Sequence, residues 1–285
     1  MEARPDPSGS IYDLGYRKYD GPRLGRGHAI TALYVQSLRA AFGLGRGTSS
    51  KVVPIALLVI ALVPATIHLG IAAATSSAMD IVQPENYFAF IEIVLALFVA
   101  AVATELVGRD QRNHTLSLYF SRALERSDYA LAKLAALTSA MLVLTLLPEA
   151  VLFVGNAFTT NASWDYLREN VAEIPRIAVS AVVVSSLCAA VALAIAAQTP
   201  RRAYATGGTI ALFVVSSTAG GIVAVTLGRY GAFLSLLDVM RGATLWVFGA
   251  DQEFDVPGEL MFAASLAVTL AATLLVLFRY RRIPA

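Results

Sequence analysis

Three acidic residues lie in or beside long apolar runs, where an ionisable side chain is energetically unfavourable. Glu92 and Glu149 lie within two such runs, and Glu105 ends the run that contains Glu92. A carboxylate at mid-bilayer costs about 2.5–3.5 kcal/mol on insertion scales, so it usually faces protein or water or takes up a proton. Pro148, directly before Glu149, predicts a kink that would accommodate a buried polar group. Two interpretations stay open for Glu92 and Glu149: acids that line a membrane pathway, or hydrogen-bonded structural residues.

The residue types that most often carry metal or nucleophilic chemistry are scattered. His28, His68 and His114 have no other His or Cys nearby at metal-ligand spacing. The single cysteine, Cys188, lies in an apolar run and is expected to be a small buried hydrophobic residue. The sequence has no Walker A loop and no G-x-S-x-G motif, and its glycine pairs at 207–208 and 220–221 favour close helix contacts over phosphate binding. We therefore predict no catalytic residue and no metal site, and we do not expect an enzyme.

A charged stretch separates the second and third apolar runs. Residues 105–133, ELVGRDQRNHTLSLYFSRALERSDYALAK, hold five of the 22 Lys and Arg residues and are rich in helix-forming residue types. We call this stretch the polar island. No other part of the middle of the sequence is comparably charged, so contact with an aqueous partner is expected here.

Composition indicates that membrane helices position these residues. Hydrophobic residues make up 57% of the 285 and charged residues 15%, against about 45–50% and 25% in soluble proteins. A helix needs about 20 residues to cross a hydrocarbon core of about 30 Å. We predict an all-α integral membrane fold in which an amino-terminal segment, 1–52, precedes a transmembrane domain, 53–285. Its six transmembrane helices are expected at about 53–74, 87–107, 134–158, 177–197, 207–227 and 260–278.

The distribution of basic residues predicts the orientation. The segments before the first span, between the second and third, between the fourth and fifth, and after the last hold 18 Lys and Arg residues, and the other loops hold 4. The positive-inside rule then places both termini and the polar island in the cytoplasm. The polar first 50 residues argue against a cleaved signal peptide. Because the basic residues are spread over loops, we expect the lipid bilayer, and no nucleic acid, as a partner.

Two further segments are predicted to be helical. Residues 28–42 place apolar side chains near one face, which favours a helix in the membrane interface, although a soluble amphipathic helix stays an alternative. The face consists of Ile30, Leu33, Tyr34, Leu38, Ala41 and Phe42. The outer loop 228–259 contains two short apolar pieces, 232–237 and 243–248, around Asp238, Arg241 and Gly242. Neither piece can span a bilayer, so we predict a short outer re-entrant helix pair.

The polar island resembles the signature of the type-2 ABC transporter permease family. In that family a Glu ends the second span, a charged stretch leads to a Thr-Leu pair, and a Ser-Arg-Pro element precedes a Lys that opens the third span. The matching residues here are Glu105, Asp110, Arg112, Thr115, Leu116, Leu118, Ser121, Arg122, Arg126 and Lys133. Ala123 stands where Pro is usual, and His114 where Gly is usual. The upstream GYRKYDGPR at 15–23 is similar to the amino-terminal stretch of some bacterial members.

The resemblance implies one half of a bacterial ABC exporter in the plasma membrane. A second copy of the chain, or a homologous permease, would complete the pathway. ATP and Mg would be bound by a separate dimer of ATP-binding cassette ATPase subunits, with no cofactor in this chain.

The resemblance also implies a cytoplasmic coupling helix at 109–118 that docks on the ATPase. Thr115, Leu116 and Tyr119 would be its docking residues, with rim charges at Arg109, Asp110 and Arg112. A secondary transporter or channel, and a non-transporting membrane sensor or immunity subunit, stay open as alternatives. A secondary transporter or channel would not need a charged island of this length.

Overall fold

The structure is a computed structural model that describes residues 21, 24–75, 83–120, 124–159, 163–253 and 255–282. Among these residues, every regular element is a helix. Eleven α-helices are described there: α1 Arg26–Ala41, α2 Ser49–Thr75, α3 Tyr87–Leu106, α4 Gly108–Arg112, α5 Leu116–Phe120, α6 Arg126–Thr159, α7 Ser163–Glu169, α8 Glu173–Ala196, α9 Arg202–Leu227, α10 Leu236–Phe248 and α11 Gly258–Arg281. Two 3₁₀ helices are also described, Pro84–Asn86 and Arg229–Leu234.

Six of these helices are long and apolar enough to cross a membrane, namely α2, α3, α6, α8, α9 and α11. This confirms the prediction of an all-α membrane protein with six such helices. The helices also extend beyond the apolar runs. The longest, α6, has 34 residues and begins at Arg126, eight residues before the start of the predicted span at 134. Its first turn is stabilised because Asp128 accepts a hydrogen bond from the Glu125 backbone N–H at 3.0 Å.

Helix α8 forms the centre of the bundle and packs against α3, α6, α10 and α11. Fifteen of its 24 residues are buried, mostly Ala, Val and Ser, and small side chains allow helices in a membrane to approach closely. The hydroxyls of Thr145 and Ser185 link α6 to α8 at 3.1 Å. Cys188 is fully buried, with its Sγ 3.8 Å from the Met240 Sδ of α10. By contrast, α2 and α9 expose many large apolar side chains.

The bundle has two distinct ends. What we call the charged end is formed by α1, α4 and α5, the beginnings of α2, α6 and α9, and the ends of α3, α8 and α11. The opposite end carries α7, α10 and both 3₁₀ helices. Long-range polar contacts at the charged end join elements distant in sequence, such as the Arg202–Glu105 ion pair between α9 and α3.

The amphipathic helix α1 covers almost the predicted interval and packs on α6 and α3. Leu33 and Ala41 are buried, and the rest of the predicted apolar face packs against the core. Tyr34 shares a hydrogen bond of 2.9 Å with Ser139 of α6. Arg26 donates twice to the Asp128 carboxylate, each time at 2.8 Å, and also pairs with Glu125. The apolar face of α1 therefore contacts protein, and its position in the membrane interface stays a prediction.

The segment 228–259, predicted to be an outer loop, differs from the predicted helix pair. A 3₁₀ helix, Arg229–Leu234, precedes a single α-helix, α10, and the residues expected to separate two helices, Asp238, Arg241 and Gly242, lie inside it. The break falls at Ser235, whose Oγ accepts the Asp238 N–H at 3.1 Å and caps α10. Helix capping, rather than the limits of the apolar pieces, decides the boundary. Whether this segment enters the membrane stays a prediction.

Candidate functional site at the charged end

A buried ion pair joins the polar island to the base of α6. Lys133 Nζ lies 2.8 Å from Asp110 Oδ2 and donates to the Leu106 carbonyl at 2.9 Å. Tyr129 donates its hydroxyl to the same Asp110 oxygen at 2.7 Å. Because Leu106 is the last residue of α3, the ammonium also neutralises the negative end of that helix. The pair holds α3 and α4 against α6.

Glu105 makes a second link, between three parts of the chain. Its carboxylate lies 3.1 Å from Arg46 in the α1–α2 turn and 2.8 Å from Arg202 at the start of α9. The turn that places Arg46 requires Gly43, which has φ 68 and whose Cβ, if present, would lie 2.4 Å from the Ser50 carbonyl oxygen. Glu105 therefore ties the end of α3 to α9 and to the turn before α2.

A third set of contacts reaches α8 and α11. The Ala197 carbonyl, just after α8, accepts hydrogen bonds from Gln111 Nε2 at 3.1 Å and from Arg279 Nε at 3.2 Å. The rings of Tyr129 and Tyr280 pack with their centroids 5.1 Å apart. Helix α4 thus contacts the central helix and the last helix, as well as α6.

The prediction of one continuous coupling helix is wrong. Residues 109–118 do not form one helix, because a turn at 113–115 separates α4 from α5. His114 has φ 52, the left-handed conformation that Gly adopts without strain. A glycine at this position would adopt the same conformation without strain.

The six predicted coupling residues lie in three different environments. Arg109 and Arg112 are exposed, whereas Thr115 and Tyr119 are half-buried. Leu116 is buried in the core, and Leu118 next to it is exposed. Asp110, predicted as a rim charge, is instead turned inward to Lys133, because a buried ammonium needs a counter-charge.

The remaining motif residues are only partly covered by the structure. Glu105 and Lys133 lie in the network described above. Arg126 packs its guanidinium 5.8 Å from the Phe120 ring centroid and donates to the Arg281 carbonyl at 3.5 Å. Ser121, Arg122 and Ala123 lie outside the described residues, as does the stretch 15–23 apart from Gly21.

An open groove of about 640 Å³ lies between α1 and the polar island. Arg39 and Val35 line its α1 side, and Arg109, Asn113 and Tyr119 line the other. Burial and then the nearby Asp110 charge raise the pKa of Tyr119, so this phenol stays neutral at physiological pH. A groove lined by both polar and apolar side chains, with exposed arginines at Arg39 and Arg109, fits a protein element that carries apolar and acidic side chains.

The two acids of the apolar runs lie in different environments. Glu149, one residue after Pro148 in α6, is buried, and within the described part of the chain neither of its carboxylate oxygens has a hydrogen-bond partner. Glu92 is half-buried on α3 and lies within electrostatic reach of Arg241 and Asp238 of α10. The chain therefore encloses Glu149, whereas it leaves Glu92 partly exposed.

The polar network contains residues that the sequence did not single out, notably Arg26, Arg46, Gln111, Tyr129 and Arg202. Each lies near an end of a helix, and no motif in the sequence marks it individually. Within the described part of the chain, no three His, Cys, Asp or Glu side chains cluster as a metal site would require. In comparisons of the whole sequence, the chain matches no protein-family model and no curated protein.

Proposed function

We propose that this chain is the membrane subunit of an ATP-binding cassette exporter of the type-2 permease kind. With a second copy, or a homologous permease, it forms the membrane pathway, and separate cytoplasmic ATPase subunits bind ATP and Mg. Its location is a bacterial plasma membrane, with both termini cytoplasmic. The observation that supports this best is the groove between α1 and the polar island, whose exposed arginines suit docking of a soluble partner.

The contacts behind the groove suit the transmission of force. A partner pressing on α4 or α5 acts on α6 through the Asp110–Lys133 pair and on α8 through the Gln111 hydrogen bond to Ala197. Glu105, in the last turn of α3 just before α4, carries the displacement to α2 and α9 through Arg46 and Arg202. The Asp110–Lys133 pair resists separation because breaking it would leave the buried Lys133 ammonium without its counter-charge.

Reversing the two exposed arginines of α4 in the double variant R109E/R112E is expected to weaken ATPase binding or to uncouple ATP hydrolysis from transport. Arg109 lines the groove, and Arg112 lies three residues further along the same helix. The reversed charges would repel the acidic side chains that the groove suits. The measurement is copurification with the ATP-binding cassette ATPase subunit proposed as its partner, together with ATP hydrolysis and export by the complex. R168E/R176E makes the same charge change at the opposite end and should leave all three unchanged. Wild-type copurification and export by R109E/R112E would contradict the docking role.

A proton-coupled secondary transporter is the second candidate, and Glu149 is the observation that favours it. A buried carboxyl without a partner is typical of proton-carrying sites in membrane transporters. Collapsing the proton gradient while ATP is maintained separates the two candidates. Export that stops under this condition supports the proton-coupled transporter, and export that continues supports the ATP-driven one.

Glu149→Gln is expected to impair transport while leaving membrane insertion and assembly intact. Gln keeps the size of the side chain but cannot ionise, so the variant isolates the contribution of the titratable group. The assay is export of amphiphilic compounds by cells, alongside the quantity of assembled complex in the membrane. Glu169→Gln changes an exposed acid of α7 and serves as the control. Undiminished export by Glu149→Gln would remove this residue from the mechanism.

A further inference from the structure

A second cavity, of about 270 Å³, opens at the charged end beside the groove described above. It lies between the beginnings of α2 and α9 and the end of α3. Arg46, Arg202 and Glu105 supply its charged lining, Ser49 and Ser50 its hydroxyls, and Val53 part of its apolar wall. The force transmission proposed above uses the ion pairs of Glu105 that line this cavity, but it assigns no ligand to the cavity itself.

The position of the cavity corresponds to the depth of lipid headgroups. Ser49 and Arg202 are the first residues of two candidate membrane spans, and Glu105 lies one residue before the end of α3. Side chains at the ends of spans meet the interfacial region rather than the hydrocarbon core. Tyr204 is exposed on α9, and the Arg201 guanidinium carbon lies 5.6 Å from the centroid of its ring. Exposed tyrosines are typical of the depth of lipid headgroups.

The charge of the cavity favours an anion. Two guanidiniums, from Arg46 and Arg202, share the single carboxylate of Glu105, which leaves one positive charge uncompensated. The Arg202 side chain is 59% exposed and has N–H groups free to turn toward a ligand. Guanidinium groups bind phosphate oxygens in bidentate geometry, and basic pockets between membrane helices bind anionic headgroups.

An apolar stripe leads away from the cavity along α3. Phe90, Ile93 and Leu97 are exposed on the face that Ala101 and Glu105 continue, at spacings of three and four residues. Helices α2 and α9 both pack on α3, so the stripe has a neighbouring helix on each side. A stripe of this kind, beginning at a cationic cavity at headgroup depth, fits the acyl chains of a lipid.

We propose that this cavity binds the phosphate of an anionic glycerophospholipid from the leaflet at the charged end. The phosphodiester lies between Arg46 and Arg202, and the acyl chains lie along the stripe that begins at Ala101. The site recognises the charge and the two-pronged geometry of the phosphate, together with the lipid chains attached to it. This proposal does not depend on the transport activity proposed above.

Native mass spectrometry of the full-length chain released from detergent tests the proposal. Phosphatidylglycerol is expected to remain bound in preference to phosphatidylcholine, which carries the same phosphate but has no net charge. R46Q/R202Q should lower occupancy by phosphatidylglycerol about tenfold or more, since charge-assisted hydrogen bonds are lost from two sides. R281Q/R282Q removes two charges from the same end outside the cavity and should leave occupancy unchanged.

Misfolding is a second explanation for a loss of lipid by R46Q/R202Q, because removing both arginines leaves Glu105 unpaired. A second variant distinguishes the two explanations. Glu105→Gln frees both guanidiniums and should increase retention of phosphatidylglycerol, a gain that a merely structural role for Glu105 would not produce. Glycerol 3-phosphate and inorganic phosphate, which lack acyl chains, should fail to displace the lipid.

Three results would overturn the proposal. The first is equal retention of phosphatidylglycerol and phosphatidylcholine. The second is displacement of the lipid by inorganic phosphate, which would make the site one for a soluble anion. The third is a mass of two chains with no retained lipid, which would show that a second copy covers the stripe.

Discussion

Replacing Lys133 by methionine is expected to destabilise the protein by about 3–5 kcal/mol, because it breaks a buried ion pair by removing one partner. Among the described residues, the Asp110 carboxylate would keep only the Tyr129 hydroxyl as a side-chain partner, and the Leu106 carbonyl would lose the hydrogen bond from Lys133. The side chain that replaces the ammonium has similar length, so the loss arises from charge rather than from a cavity. The affected contacts hold α3, α4 and α6 together.

The free energy of unfolding in detergent is the quantity to measure for Lys133→Met. Lys51→Met, at a partly exposed position at the start of α2, is the matched control and should change stability little. The double variant D110N/K133M should recover part of the loss, because the amide that replaces the Asp110 carboxylate still accepts the Tyr129 hydroxyl without a buried charge. Equal stability of Lys133→Met and Lys51→Met would show that the pair contributes nothing.

The long helices could be predicted from the sequence because an apolar run of about 20 residues satisfies its backbone internally and needs no partner. Boundaries set by single hydrogen bonds were harder to predict. Ser235 and Asp238 contain the capping signal that starts α10, yet the apolar pieces on either side suggested a different division. The residue type at position 114 does not predict the turn there, since His has no preference for positive φ comparable to that of Gly.

The polar network shows why the site was only partly predictable. Lys133 and Glu105 stand out through the family resemblance, but their partners depend on how helices pack. Arg202 is 97 residues from Glu105 in sequence, and its role follows from the placement of α9 beside α3. The family resemblance makes Asp110 a rim charge of the coupling helix, and its ion pair with the buried ammonium of Lys133 reverses that expectation.

Two neighbouring glycines in α9 are expected to respond oppositely to the same substitution. A Cβ at Gly220 would lie 2.7 Å from the Ser235 Cβ and 3.0 Å from the Ser235 backbone N. One at Gly221 would have no atom within 4 Å. Gly220→Ala should therefore destabilise the protein by about 1–3 kcal/mol through overpacking. Gly221→Ala should stabilise it by up to about 1 kcal/mol, because Ala has the higher helix propensity.

The effect of Gly220→Ala extends beyond α9 because the atoms it would strike belong to the residue that caps α10. Ser235 cannot move aside by changing rotamer, since its backbone N is one of the close atoms, so the start of α10 must shift away from α9. Unfolding in detergent measures both variants under identical conditions, and their adjacent positions exclude a general effect of the helix or of its depth in the membrane. If Gly220→Ala were as stable as Gly221→Ala, the close packing of residues 229–248 on α9 would be refuted.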